Sequence, residues 1–472
     1  MQNNKYKKLS EFYKEVYNSI PDKTEKITQA GSPRFYCRFY NGNTSVLGVY
    51  SENISETETF IYFSKVFNEL NLNTPEIYAV SLDKTCYFIK DFGDDLLLNL
   101  LLKAKKGELD FENVISYYKK SLTALLKLQI LAKNNIDFSK AFSIQKFDSQ
   151  AILFDLNYFK YYFLNRSGVS FDEKLLQDDF EKLAFDLENQ GAKLFMFRDF
   201  QARNILVQNE EVYFIDYQGG RLGAPEYDLV SLLYQAKADL PENIKLELKD
   251  FYFSEIKKYF DLNKQDFDER FYKYAYLRVL QTFGAYGLRG LIEKKQHFVD
   301  SIPFAIKNLK NLMIFHPLSD EFAELKRVLN ELVLSKKFDN KIFDEFTVQI
   351  FSFSFKKGLP EDLSGNGGGF VFDCRGIHNP GRYPEFKDKT GKDQQAIDFF
   401  KTKTDIDVFI ENAKLSVNST IENYIERGFN SLMISFGCTG GQHRSVYCAE
   451  AMAKYIAEKF QVNVILRHRE QE

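Results

Sequence analysis

Tryptophan is absent from this 472-residue sequence, and cysteine, methionine and histidine each occur only five times. The cysteines, Cys37, Cys86, Cys374, Cys438 and Cys448, are odd in number and far apart, which argues against a disulfide framework or a zinc cluster. Glycine and proline together number 35, while 44% of residues are hydrophobic and 27% charged, which excludes a disordered or collagen-like chain. No apolar run reaches the roughly 18–20 residues of a membrane helix. The basic start, residues 1–17, lacks the apolar core of a signal peptide, so a soluble cytoplasmic protein is expected. A net charge of −3 gives no global basic field to gather nucleic acid or acidic lipid. What the chain has in quantity is aromatic bulk, 47 Phe and 28 Tyr, and more length than one core uses. Two or three domains are expected.

The coarse pattern is a β-rich segment followed by a helical one. Residues 31–50 read as a strand, a turn at Asn41-Gly42-Asn43 and a second strand. Ser55 and Glu58 have the spacing of a capping box ahead of Phe60, Phe63, Phe67 and Leu70 at helical intervals. A strand pair over about 77–90 ends at Asp91-Phe92-Gly93. Residues 95–190 are helical, 193–217 return to strands, and helices resume from about 226 to 315. A helix is expected over 319–336. The remainder alternates strand and helix: strands near 347–355 and 370–374 around a Gly-rich loop, a helix over about 393–426, a strand at 430–437, a helix at 445–460 and a strand at 462–467. The expected fold class is α+β. A two-lobed kinase-like domain (small lobe 1–92, large lobe 93–315) and a helical linker (316–345) precede a smaller α/β domain (346–472) with a strand–anion loop–helix unit.

Two constellations carry chemistry. In the first, Asp199 is followed five positions later by Asn204, and Asp216 comes at the end of a strand pair. An acid, an amide and a second acid in this order suit phosphoryl transfer. Asp199 would orient or deprotonate an attacking hydroxyl, while Asn204 and Asp216 would hold Mg²⁺ on nucleotide phosphates. The stretches GSPRFYCRF (31–39), Lys90-Asp91-Phe92-Gly93, FRDFQARNIL (197–206) and IDYQGGRLGAPEYDLVSLL (215–233) resemble the aminoglycoside phosphotransferase superfamily. Within it, the likeness is to bacterial kinases acting on the anomeric hydroxyl of N-acetylmuramate and N-acetylglucosamine. The resemblance implies ATP and Mg²⁺ as cofactors and an amino sugar as acceptor. It places Asp91-Phe92-Gly93 at the hinge between lobes rather than at the metal.

One departure from that pattern matters. The strand VLGVY carries no lysine, and Gly48 stands where the nucleotide-binding lysine is expected. Another cation must then meet the phosphates, and Arg34 and Arg38, beside the Gly31-Ser32 loop, are the candidates. Arg203 and Asp228 are candidate substrate contacts, although Asp228 reads more readily as a helix N-terminal residue favoured by the dipole. Arg203, Arg221, Arg278 and Arg289 are the cations available to an acidic sugar in the helical lobe.

In the second constellation a buried strand runs into Cys438-Thr439-Gly440-Gly441-Gln442-His443-Arg444-Ser445 and then a helix. Backbone N–H groups and an arginine at a helix N-terminus make an anion cradle. The spacing also satisfies the loop of cysteine-dependent phosphatases, with Cys438 as thiolate and Arg444 as clamp. A phosphate-binding sensor, a phosphatase and a structural turn all remain open on the residues alone. FSFSFKKGLP (351–360), VFDCRGIHNPGRYPEF (371–386) and SFGCTGGQHRSVYCAE (435–450) resemble the C-terminal domain of RapZ, a bacterial adapter that senses glucosamine 6-phosphate and binds small RNAs. The resemblance implies a sugar-phosphate site at Cys438, Thr439, Gly440, Gly441, His443 and Arg444, with Asp373, Arg375 and His378 facing it. The chain stops at Arg469-Glu470-Gln471-Glu472 without a basic tail. Residues 346–472 balance 16 Lys and Arg against 16 Asp and Glu, which argues against RNA binding.

The combined expectation is a cytoplasmic amino-sugar kinase whose C-terminal domain senses an amino-sugar phosphate, with no membrane partner and with homo-oligomerisation left open. The competing reading is a non-enzymatic regulator that binds nucleotide and sugar phosphate.

Overall fold

The computed structural model describes all residues except Met1, 28–33, 143, 190, 336–345, 361–367, 430, 461 and 472. Gly31 and Ser32, and most of the Gly-rich run at 365–369, therefore lie outside the described residues. The chain divides into two compact units. One holds residues 1–288 and 304–335; the other holds 289–303 and the region beyond 335.

The first unit opens with helix α1 (Gln2–Tyr17) and a five-stranded antiparallel sheet in the order β1-β2-β3-β5-β4. The strands are β1 (Lys23–Ile27), β2 (Phe35–Asn41), β3 (Thr44–Tyr50), β4 (Ile77–Val80) and β5 (Cys86–Lys90), with α2 (Ile54–Glu69) between β3 and β4. Neither α1 nor β1 was expected from sequence. The helix packs Leu9, Phe12 and Tyr13 against Cys37, Phe39 and Phe88, so it covers one face of the sheet. Alternation along a strand puts Arg34, Tyr36 and Arg38 on the other face, and Phe60 of α2 packs there against Tyr87.

Gly48 belongs to the α1 side. A Cβ at this position would meet the Phe39 and Phe88 rings at 2.8 and 2.9 Å. The expectation that a strand lysine is missing from position 48 is thus corrected: a side chain there would enter the core under α1, away from the face that α2 covers.

The helical part runs through α3 (Leu97–Lys105), α4 (Phe111–Asn135), α5 (Ser149–Phe159), a one-turn α6 (Asn165–Ser167) and α7 (Glu173–Asn189). Short strands β6 (Leu194–Met196), β7 (Ile205–Gln208), β8 (Glu211–Phe214) and β9 (Arg221–Gly223) follow, paired as β6 with β9 and β7 with β8. Then come α8 (Pro225–Leu233), α9 (Glu242–Ile256), α10 (Lys264–Tyr286), α11 (Gln296–Val299), which belongs to the second unit, α12 (Ile302–Phe315) and α13 (Ala323–Leu334).

The helix α13 corrects the expectation of a linker over 316–345. Its residues Leu325, Val328, Leu329 and Leu332 are buried. Asp179 of α7 accepts the Leu325 N–H at 2.8 Å, and Glu324 accepts the N–H of Asp172 at 2.8 Å. Four buried apolar side chains and two capped N–H groups make α13 part of the first unit.

The second unit is a parallel sheet in the order β11-β12-β10-β13, formed by β10 (Thr347–Ser354), β11 (Phe370–Asp373), β12 (Ser431–Cys438) and β13 (Asn463–His468). Parallel neighbours need crossovers, supplied by α14 (Gln394–Lys403), α15 (Ile406–Glu426) and α16 (Arg444–Phe460). The single helix expected over 393–426 is two, broken at Thr404 and Asp405. Every residue of β12 is buried, as the central strand of a covered parallel sheet should be. The α+β class with a smaller α/β unit is the fold observed.

Candidate phosphoryl-transfer and anion-binding sites

In the first unit the loop after β6 is set by Asp228. This residue sits in the first turn of α8 with no exposed surface. Its carboxylate accepts the backbone N–H groups of Phe197 (2.7 Å) and Arg198 (2.9 Å) and the Gln129 amide (3.1 Å). Burial raises its pKa to about 7, against the lowering pull of those three donors. Asp228 was a candidate substrate contact; being wholly enclosed, it is instead the clamp that shapes the loop. The shape is strained, for Arg198 has φ 84°. Such a non-glycine conformation costs about 1–3 kcal/mol and persists only where surroundings impose it.

The clamp turns Arg198 inward. Its guanidinium makes two 2.7 Å bonds to Asp155 of α5 and a third, at 2.5 Å, to the Tyr227 hydroxyl. The next residue, Asp199, points the other way, with 45% of its side chain exposed. Arg278 of α10 donates to Asp199 Oδ1 at 3.0 Å and to Tyr227 at 3.2 Å. Burial works to raise the Asp199 pKa, but Arg278, Arg203 and Arg198 outweigh it and hold the carboxyl below its ordinary range. Asp199 is therefore ionised and oriented. Arg203 is exposed in the turn that precedes β7.

Asn204 ends that turn. Its amide Nδ2 donates to the Asp199 carbonyl at 2.9 Å, which fixes the amide's orientation. The Asn204 carbonyl accepts the Ile215 N–H at 3.0 Å, so the residue before Asp216 is tied to Asn204. Asp216 itself has φ 70° and a carboxylate 41% exposed. The structure thus brings Asp199, Asn204 and Asp216 to one loop cluster.

Of the two candidate cations, Arg34 is the one that reaches this cluster. It donates to Glu56 of α2 at 2.5 Å and to Asp216 at 3.5 Å. Burial disfavours its charge, but Tyr36, Tyr87, Asp216 and Glu56 more than compensate and keep it cationic. Arg38, two strand residue pairs further on, is committed elsewhere. It bonds to Asp91 at 2.5 and 3.2 Å and to Asp94 at 2.8 and 3.0 Å. Asp91 also accepts Ser45 and the Gly93 N–H. Arg38 is therefore a clamp on the segment 91–94 and is corrected from nucleotide contact to that structural role.

The capping expectation for α2 is corrected as well. Asn53 is the N-cap, its side chain accepting the Glu56 N–H at 3.2 Å. Glu58 pairs with Lys84 instead. Three participants were outside the sequence reading: Glu56, Asp155 and Tyr227. Each meets its partner across 22 or more residues, a separation that local spacing does not reveal.

In the second unit β12 delivers Cys438 to the turn before α16. The Gly441 N–H donates to Cys438 Sγ at 3.2 Å, and Ser445 Oγ lies 3.2 Å from it. Burial would raise the thiol pKa, yet the side chain and backbone of Ser445, the Gly441 N–H and Arg444 together hold it below its ordinary value. Cys37 and Cys374 show the contrast, burial pushing Cys37 up to about 11 and Cys374 well above its usual range.

Arg444 is buried, with Nη1 donating to the carbonyls of Arg375 and Ile377 at 2.9 Å each. Nη2 stands 3.4 Å from Thr439 Oγ1. His443 is corrected toward a scaffold role: its Nε2 meets the Phe386 carbonyl at 2.9 Å. Gln442, not singled out in sequence, donates to the Lys387 and Lys389 carbonyls at 3.2 and 2.8 Å. Gly391 packs so closely that a Cβ there would lie 2.2 Å from the His443 carbonyl oxygen.

Thr439 and Gly440 are the exposed rim of the turn, whereas Gly441 is buried. Asp373, register partner of Gly437, pairs with Arg375, whose guanidinium lies 4.1 Å from the Phe355 ring centre. His378 is exposed and contacts the Tyr383 hydroxyl at 3.2 Å.

Comparisons with known proteins match two separate segments of the chain. Residues 107–262 match the family model described as "Phosphotransferase enzyme family", and residues 346–472 match "RapZ C-terminal domain". A nucleotide-binding protein of Ruminiclostridium cellulolyticum is 36% identical over 147 residues, 31% of this chain and 47% of the relative. One of Staphylococcus epidermidis is 29% identical over 202 residues, 42% of this chain and 62% of the relative. The chain thus spans about half the length of the curated relatives it matches. Among solved structures, a choline/ethanolamine kinase family protein from Mesorhizobium loti aligns with TM-score 0.47 and 14% identity, over 69% of this chain and 100% of that one. A choline kinase from Streptococcus pneumoniae aligns with TM-score 0.44 and 12% identity, over 65% and 99%. No helix among the described residues is long and apolar enough to cross a membrane. One segment of the chain thus matches the phosphotransferase enzyme family and another the RapZ C-terminal domain.

Proposed function

We propose that the first unit phosphorylates an amino sugar of the N-acetylmuramate or N-acetylglucosamine type at its anomeric hydroxyl, with ATP and Mg²⁺, and that the second binds an amino-sugar phosphate. The observation that carries the first half is the convergence of ionised Asp199, oriented Asn204 and Asp216 with a buried Arg34–Glu56 pair.

The residues fit a magnesium ion. With Asn204 Nδ2 bound to a carbonyl, its Oδ1 is the donor atom left for a hard cation, and Asp216 supplies carboxylate oxygen. Among the described residues no group of three or more His, Cys, Asp or Glu could hold a metal, so the ion would complete its shell with phosphate oxygens and water. When bound it would neutralise charge on the phosphates.

Arg34 serves as the cation for the phosphates, fixed by Glu56 as a strand lysine would be. Asp199 takes the hydroxyl proton, or holds the hydroxyl in line, and Arg278 keeps that carboxylate charged and aimed. Arg203, on the exposed side of the same turn, is the proposed acceptor contact.

In the second unit Cys438, Thr439, Gly440, Gly441 and Arg444 form the proposed anion cradle. His443 positions it, and Asp373, Arg375 and His378 face the sugar. Binding there is proposed to shift kinase activity. Unchanged steady-state parameters at saturating glucosamine 6-phosphate would sink that link.

The test is a Mg·ATP assay on both sugars, with product identified by phosphorus NMR. An anomeric phosphate is expected, falling about 10²–10⁴-fold in Asp199→Asn. Stabilisation by Mg·ATP without turnover on any sugar would instead support the regulator reading.

A further inference from the structure

We propose that the Cys438–Ser445 turn is also a phosphomonoesterase centre, in which Cys438 Sγ takes the phosphoryl group of a small phosphate monoester while Arg444 holds its oxygens. The proposal rests on the reading of this turn as an anion cradle and adds a covalent step to it.

The guanidinium is arranged for such a guest. Arg444 is 5% exposed, and its Nη1 is anchored by two carbonyl oxygens at 2.9 Å. Its Nε is fully buried with no hydrogen-bond partner among the described residues. Leaving a charged group's N–H unmet in a buried position is costly. Nε and Nη2 form one edge of the planar fork, the edge that matches two oxygens of a phosphate. Nη2 reaches Thr439 Oγ1 at 3.4 Å, so this edge faces the turn that holds Cys438.

The sulfur is arranged to react. Cys438 Sγ sits at the base of the turn, within 3.2 Å of the Gly441 N–H and of Ser445 Oγ. Both neighbours stabilise a thiolate, the nucleophilic form. A sulfur needed only to line an apolar base would gain nothing from two polar partners. Ser445 follows directly after Arg444, so one helix turn carries both the oxygen clamp and the group that steadies the sulfur.

The chemistry balances in two steps. The Cys438 thiolate attacks phosphorus, an S–P bond forms and the ester P–O bond breaks. The alkoxide leaves and takes a proton from solvent water. A second water then attacks phosphorus, and the S–P bond breaks to return the thiolate, which Ser445 stabilises. The water's proton passes to solvent. The sum is ester plus water giving alcohol plus inorganic phosphate, with no oxidant or metal consumed.

The test uses the full chain carrying Asp199→Asn, without ATP, so that the kinase-like site is silent. The probes are p-nitrophenyl phosphate and glucosamine 6-phosphate. Phosphate release is expected from at least one of them, falling about 1,000-fold or more in Cys438→Ser. Ser445→Ala should slow the second step, giving a burst of alcohol and an intact mass increased by one phosphoryl group. Calorimetry with glucosamine 6-phosphate separates the layers. Binding without release from either ester overturns the proposal and leaves the anion-binding reading standing. Absence of both binding and release overturns both. Release undiminished in Cys438→Ser overturns the assignment of the nucleophile.

Discussion

The two proposed phosphate sites gather their residues with opposite economies of sequence. In the second, sulfur, arginine and hydroxyl occur within the eight residues of Cys438–Ser445, and one strand–helix turn holds them. In the first, Arg34, Glu56, Asp155, Asp199, Asp216, Asp228 and Arg278 come from the approach to β2, from α2, α5, three loops or helix starts, and α10. The difference follows from charge. Backbone N–H groups at a helix N-terminus arrive in register and need few neighbours. Carboxylates at close quarters repel, so each must be paired, which draws in arginines from distant segments. A compact cradle is legible in sequence; a balanced carboxylate cluster is legible only at its loop.

The sharpest way to break the comparison is to remove the distant cation. Arg34→Met should reduce ATP-dependent turnover by about 100-fold or more while leaving sugar-phosphate binding in the second unit unchanged. Arg34→Lys should restore part of it, since a point charge still meets the phosphates without the bidentate fork. Adding Gly48→Lys to Arg34→Met should restore nothing. Its side chain would enter the Phe39–Phe88 packing and cost about 2–4 kcal/mol of stability, readable by denaturant unfolding. Rescue by Gly48→Lys would show that the strand face has been misassigned.

This pair of positions also shows what sequence could and could not deliver. The strands over 31–50 and 77–90, the Asp199–Asn204–Asp216 loop and the C-terminal turn follow from local spacing, which fixes which residues share a loop. The face on which Gly48 lies does not. Alternation within VLGVY is symmetric until something covers one side, and that something is α1, for which no expectation existed. The candidate Arg38 failed for a related reason. It shares its strand face with Arg34, and only the fold shows that Asp91 and Asp94 take it. Asp228 was ambiguous because a helix-start carboxylate can face either substrate or backbone, and burial decides.

Asp228 offers a second, smaller test through pH. Its pKa is raised from an ordinary 3.8 to about 7 by burial, so the folded state holds a proton that the unfolded state releases between those values. Unfolding is then opposed most below pH 4, and this contribution is lost as pH rises to 7. Asp228→Asn cannot titrate, and its amide presents donors toward N–H groups that need acceptors, so it should be less stable throughout. The stability gap between the two proteins should narrow as pH climbs from about 4 to 7, measured by denaturant unfolding. A gap that widens over this range would mean that the hydrogen bonds from Phe197, Arg198 and Gln129 outweigh burial and that the carboxylate is ionised in the fold.

The smallest effect separates two readings of one helix start. The capping-box spacing points to Ser55, but the chain enters α2 two residues earlier, with Asn53 as the cap. Asn53 has φ −89° and ψ 93°, the extended conformation of an N-cap, and accepts the Glu56 N–H. Ser55 lies inside the helix, where its hydroxyl has no orphan N–H to serve. Asn53→Ala should therefore cost about 1 kcal/mol, while Ser55→Ala should be neutral to within a few tenths, alanine being the better helix former. The cap matters beyond stability, because it fixes the turn that carries Glu56 to Arg34. Asn53→Ala should consequently raise KM for ATP slightly, and Ser55→Ala should not. Equal effects on KM from both variants would detach Glu56, and with it the Arg34 pair, from the nucleotide side of the site.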